Sequence, residues 1–223
     1  MPLYHGTLFG VDEKEMLRYA GIPQREHFPE TAIREAAAEA RALARPRGIW
    51  QLFPYHPESG LLGEGPNAFS LRGTAIRNHL RNSFAAVALA VTVGNAIEET
   101  SDACFRESHY VRGLLLDAAA TALTEALADE LETYIKNQAQ KRGAHITRRF
   151  SPGYGDWPIE EQKNFCRLLE TNAIGLSVTD HFMLNPRKSV TAVIGLTPCA
   201  QKPEPKACRN CSFLSCAFRE KEL

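Results

Sequence analysis

The sequence predicts an α+β fold, with a mainly antiparallel twisted sheet and long flanking helices, and three observations carry that prediction. Two long stretches repeat apolar residues at helical spacing. Several short apolar or β-branched runs are bounded by Gly and Pro. The helix and strand runs do not alternate as regular βαβ units, and no internal repeat is present.

Ile33 to Arg45, IREAAAEARALAR, consists of strong helix formers, follows Pro29 and Thr31, and stops before Pro46. Residues 49–73 scatter Pro and Gly among aromatics and read as irregular chain, short strands or a wrapped strand edge. Asn82 to Gly94, NSFAAVALAVTVG, ends in β-branched residues with Gly as a stop, as a strand buried on both faces does. Asn95 to Ser108 is polar and helical in pattern. Arg112 to Arg142 is the longest periodic segment: Leu116, Ala120, Leu123, Leu127, Leu131 and Tyr134 recur at helical spacing, with Gly143 as the stop. Ile159 to Thr171 makes another amphipathic helix. Leu176 to Leu184 and Val190 to Thr197 read as strands, and Pro186, Arg187 and Lys188 between them suit a hairpin-like turn.

A length of 223 residues suits one sizeable core with a small appendage. Lys plus Arg and Asp plus Glu both number 26, so no basic excess argues for nucleic acid or an acidic membrane surface. The N-terminus has no basic region followed by an apolar one, and the most apolar run, Phe84 to Val93, is far shorter than the roughly 20 residues a bilayer requires. The expectation is a cytoplasmic protein without a membrane partner.

Of six cysteines, Cys199, Cys208, Cys211 and Cys216 crowd the C-terminal end, so the chain divides into residues 1–198 and a cysteine-rich tail, 199–223. The spacing C-x2-C-x4-C, with Cys199 ahead of it across QKPEPKA, lets four thiolates converge on structural zinc or an iron-sulfur cluster. Free or reversibly oxidised thiols are the third reading, and the spacing does not choose among them. Cys104 and Cys166 read as small buried side chains, and the seven histidines show no paired ligand spacing.

Two features suggest a small-molecule site. On the long helix, Leu114, Ala118, Ala122 and Glu125 fall close together, so one carboxylate prolongs a stripe of small apolar side chains; a solvated edge for Glu125 is the plain alternative. Residues 148–158 read RRFSPGYGDWP. Arg149 can pair bidentately with a carboxylate, Gly153 lets a ligand approach the backbone, and Tyr154 offers an aromatic face to a planar or cationic group. A structural loop with an exposed arginine fits that pattern equally well. No glycine-rich turn after an early strand marks a doubly wound methyltransferase; Gly60-Leu-Leu-Gly-Glu-Gly65 runs straight into Pro66.

Arg149-Phe150-Ser151-Pro152-Gly153-Tyr154, then Pro158, Glu160 and a helix to Glu170, resembles the activation domain of cobalamin-dependent methionine synthases, whose loop reads Arg-Pro-Ala-Pro-Gly-Tyr. Leu123-Thr124-Glu125-Ala126 is similar to that family's glutamate-bearing helix, and SVTDHFMLNPRKSVTAVIGL to its strand, Pro-centred turn and second strand. The resemblance spans roughly Leu114 to Pro198, while DEKEMLRYAGIP looks like the opening of free-standing versions of the domain. It implies S-adenosylmethionine contacts from Glu125, Arg149, Ser151, Gly153 and Tyr154. It also implies a reactivation domain at residues 1–198 that supports reductive remethylation of cob(II)alamin. The cobalamin would be carried by a methionine synthase or a related corrinoid protein, and a donor protein would supply the electron. On this reading the chain is an accessory subunit without a general acid, base or nucleophile, and a tail cluster has a purpose as electron carrier. Another corrinoid methyltransferase as partner, or a regulatory module binding S-adenosylmethionine or metal, are the alternatives. The sequence departs from the family twice: the late tyrosine beside the adenosine falls at about Ile194, and the early aspartate has no counterpart.

Overall fold

A computed structural model describes residues 2–8, 10–22 and 28–200 of the protein. In chain order the elements are β1 (Leu3–Tyr4), α1 (Glu13–Tyr19), α2 (Glu30–Leu43), β2 (Arg47–His56), β3 (Leu61–Leu62), β4 (Phe69–Ser70), α3 (Thr74–Leu80), β5 (Ala85–Thr92), α4 (Ala96–Arg106), α5 (Tyr110–Gln140), β6 (His145–Ile146), α6 (Glu161–Leu169), β7 (Ser177–Val178), β8 (Leu184–Asn185) and β9 (Ser189–Thr197). The main sheet has the order β4-β3-β2-β5-β9-β6, with β1 also on β2, and every pairing in it is antiparallel. This is the α+β architecture the sequence predicts.

β5 is the centre of the fold. Each of its residues is buried between β2 and β9, with Leu89 opposite Trp50 on one side and Ala192 on the other. Its residues alternate by size. Val87, Leu89 and Val91 join the core on the helical side, where α5 meets them with Ala118, Ala119, Ala122 and Ala128. Ala86, Ala88 and Ala90 face the other core, where the small side chains leave room for Trp157, Phe165, Phe53 and Tyr55. Small residues thus oppose large ones across both interfaces, which is how layers pack at interior density. α1, α2, α4 and α5 cover one face; α3, α6 and the segment 150–157 cover the other.

Two local readings of the sequence are corrected. Residues 47–56 form a ten-residue strand rather than irregular chain, paired with β5 from Arg47↔Thr92 to Pro54↔Ala85. Pro54 does not break it, because its carbonyl accepts from Gly63 N at 2.9 Å on the β3 side. The missing N–H lies on that same side, so the ladder to β5 loses nothing. In addition, Leu176 to Leu184 does not pair with β9. It folds on itself as the β7-β8 hairpin, closed by Thr179, whose N–H reaches Met183 O at 2.8 Å and whose hydroxyl accepts from Met183 N at 3.1 Å.

The chain then turns through Pro186 to Lys188, and charge fastens the turn to the helices. The Glu98 carboxylate, buried on α4, accepts from Lys188 N at 2.5 Å and Arg187 Nε at 3.1 Å, while Lys188 Nζ reaches Asp117 on α5 at 2.9 Å. On β9, Gly195 passes so close to α3 that an added Cβ would lie 2.1 Å from Ser83 Oγ and 2.8 Å from Leu80 Cδ2. Gly195→Ala is therefore expected to destabilise the protein by about 1–3 kcal/mol through overpacking, read as a lower urea midpoint at unchanged m-value.

Candidate functional site

The outer edge of β9 is only partly covered. β6 pairs at Leu196 and Thr197, and Phe150 exchanges two backbone hydrogen bonds with Val193, at 3.0 and 2.9 Å. Beyond that point no described strand joins Ser189 to Thr191 on this side. A cavity of about 350 Å³ opens there, lined by Glu125 of α5, Arg149, Ser151 and Tyr154 of the loop, Gln162 of α6, and Thr191 of β9. Its size falls within the ~300–1,000 Å³ common for small-molecule pockets.

The loop is held at both ends, so its conformation is set before any ligand arrives. Phe150 is tied to β9, and Trp157 is fully buried against Phe165. Between them the Asp156 carboxylate accepts from the backbone N–H groups of Thr74 and Ala75, at 2.7 and 2.8 Å, at the start of α3. Those hydrogen bonds hold its pKa below the usual carboxylate range. A turn closes through Tyr154 N to Ser151 O at 3.0 Å, and Gly153 N reaches Trp157 O at 2.9 Å. Gly153 stands at φ 91°, a left-handed conformation, with Ile159 Cδ1 only 3.2 Å from where a Cβ would be. A side chain there would be strained as well as crowded.

Arg149 leaves this loop toward α5. Its Nη2 contacts Asp129 Oδ1 and lies 3.6 Å from Glu125 Oε2, and its Nε lies 3.0 Å from Glu132 Oε2. Its Nη1 is buried and has no hydrogen-bond partner in the protein. A guanidinium N–H shielded from water and unmatched is costly, and a ligand carboxylate or carbonyl satisfies it. Burial, first of all, pushes the Glu125 carboxyl above its ordinary pKa; Arg149 pulls it down and Asp129 adds to the rise. Burial, first of all, and Asp129 also raise Glu132, while Arg149 and Lys136 pull it down.

Of the residues singled out in the sequence, Glu125, Arg149, Ser151 and Tyr154 meet around one cavity, and Gly153 shapes the turn between two of them. Ala118 and Ala122 are buried in the core, and Leu114 is partly exposed, so the stripe leads to the cavity only at Glu125. Ile194 does not face it. That residue is fully buried on the helical side of β9, and Val190 and Thr191 supply the strand wall instead. Cys199 is exposed, and Cys208, Cys211 and Cys216 lie outside the described residues. No helix among the described residues is long and apolar enough to cross a membrane.

Sequence reasoning missed Asp129, Glu132, Gln162 and Arg187. The first two were readable, because Glu125, Asp129 and Glu132 recur at i, i+4 and i+7 and so share one helix face. Gln162 was readable as a polar residue on the apolar face of α6; it is buried and donates to Thr191 Oγ1 at 2.6 Å. Arg187 carried no local signal.

A carboxyl with a raised folded-state pKa costs stability once it must ionise: stability is full below the unfolded pKa of about 4.3 and falls as pH rises through the folded value. Glu125→Gln removes that titration. Its melting temperature at pH 7 is expected to equal or exceed that of the wild type, and the gain should vanish as pH falls below the ordinary carboxylate range. Thermal melts of both proteins across pH check this, and a variant less stable than the wild type at neutral pH would contradict it.

Comparison with known proteins bears on the fold and the family. Thirteen solved chains match, among them a crystal structure of the MetH reactivation domain bound to AdoHcy, with a TM-score of 0.56 at 17% identity, covering 91% of this chain and 81% of that one. At that identity the likeness establishes the fold. No curated protein matches the sequence. The family profile described as "Vitamin B12 dependent methionine synthase, activation domain" matches residues 78–203, more than half of the chain and every residue lining the cavity. The chain belongs to the family of vitamin B12-dependent methionine synthase activation domains.

Proposed function

We propose that the protein binds S-adenosylmethionine in the β9 cavity and supports reductive remethylation of cob(II)alamin carried by a methionine synthase or related corrinoid partner. The observation that carries this reading is the pairing of Arg149, with its unmatched buried Nη1, and Glu125 within one cavity of a family member. The donor set fits the molecule. Arg149 suits the carboxylate of its amino-acid arm, Glu125 suits its cationic amino or sulfonium group, and the half-exposed ring of Tyr154 suits a cation or a planar base at the rim. The AdoHcy held by the solved MetH domain is the demethylated form of the same ligand.

S-adenosylmethionine supplies the methyl group, and a separate donor protein supplies the electron the acceptor requires. The residues of this chain bind and orient. They fix the amino-acid arm on the helix side of the cavity, so that the methyl group is held toward a docked partner instead of meeting it by chance. No proton transfer or covalent attachment to the chain is required.

We further propose that residues 199–223 form a separable tail in which Cys199, Cys208, Cys211 and Cys216 hold an iron-sulfur cluster or zinc. Iron, acid-labile sulfide and zinc analysis of anaerobically purified protein decides between them, and neither metal at stoichiometric level would leave free thiols.

Calorimetric titration of S-adenosylmethionine tests the main reading. Wild type is expected to bind saturably, and Arg149→Ala to lose at least about tenfold in affinity, since it removes a charge-assisted, partly buried contact. Equal binding by both proteins would overturn the site assignment.

A further inference from the structure

α5 presents three carboxylates to a single guanidinium. Glu125, Asp129 and Glu132 stand at i, i+4 and i+7, within about 60° of one another around the helix. Asp129 and Glu132 engage Nη2 and Nε, one edge of the fork, while Glu125 stands off at 3.6 Å. Glu132 is the best shielded, its side chain 25% exposed against 42% for Glu125 and 69% for Asp129. Nη1 is left buried and unmatched.

We infer that Asp129 and Glu132 are positioning residues: they grip the Nε/Nη2 edge of Arg149 so that Nη1 is presented to the ligand's carboxylate. The inference rests on the S-adenosylmethionine reading and goes beyond it by assigning the two residues that orient its anchor. An unrestrained arginine has many rotamers and loses that freedom on binding, whereas a guanidinium already held by two carboxylates loses little. Asp129 and Glu132 take up the Nη2 and Nε donors, which leaves Glu125, 3.6 Å from Nη2, available to the ligand's cationic group. The opposite role is conceivable on the same contacts. If Asp129 and Glu132 merely competed with the ligand for Arg149, removing them would tighten binding, so the sign of the effect discriminates.

The test titrates S-adenosylmethionine and its decarboxylated analogue, which keeps the sulfonium and lacks the carboxylate, into the full chain. Wild type, Asp129→Asn, Glu132→Gln, the double variant and Arg149→Ala are compared, with a thermal melt of each. Glu132→Gln is expected to weaken S-adenosylmethionine about tenfold, and the double variant more, while the affinity for the decarboxylated analogue stays unchanged, so that the wild-type preference for the carboxylated ligand collapses. Unchanged or tighter S-adenosylmethionine binding in the double variant would overturn the inference, as would an equal loss for both ligands, which signals general damage to the cavity. Full affinity in Arg149→Ala would instead remove the ligand reading itself, and this assignment with it.

Discussion

The site depends on the unequal faces of β5. Because valine and leucine face one way and alanine the other, the strand packs against an alanine-lined helix on its first side and against tryptophan and phenylalanine on its second. α5 therefore lies close to the sheet, and its polar face reaches past the edge of β9. Trp157, seated over the alanines, pins the loop that carries Arg149. The arginine and the glutamate meet because both layers are registered on the same strand. A larger residue at Ala88 would displace the aromatic layer, and with it the loop.

Much of this was legible in the residues. The long helix, the buried strand and the turn-rich loop each announced themselves through period, composition or glycine and proline placement. The candidate ligands Arg149, Ser151, Gly153 and Tyr154 come from a single short segment, whose own pattern fits a structural loop equally well; the resemblance to the activation domains is what singled them out. Glu125 was legible only in part, since helix periodicity placed it at the end of a stripe without saying whether cavity or solvent lay beyond.

What escaped was non-local. The strand at 47–56 was masked by Pro54, whose tolerance depends on which neighbour its missing N–H would have faced. The β7-β8 hairpin was hidden because Thr179 closes a turn that no glycine marks. Arg187 reaches the cavity only because Glu98 and Asp102, about 85 residues earlier, take hold of it.

The cavity also has an unusual mechanical setting. Glu125 belongs to the helices on one side of the sheet and Gln162 to those on the other, and between them β9 has an uncovered edge. A molecule seated there adds a cross-brace between the two layers, beside the Arg149 contacts to Asp129 and Glu132 that already join the loop to α5. Ligand occupancy would then be felt throughout the domain, slowing amide hydrogen exchange in α5 and α6 together by the same binding free energy.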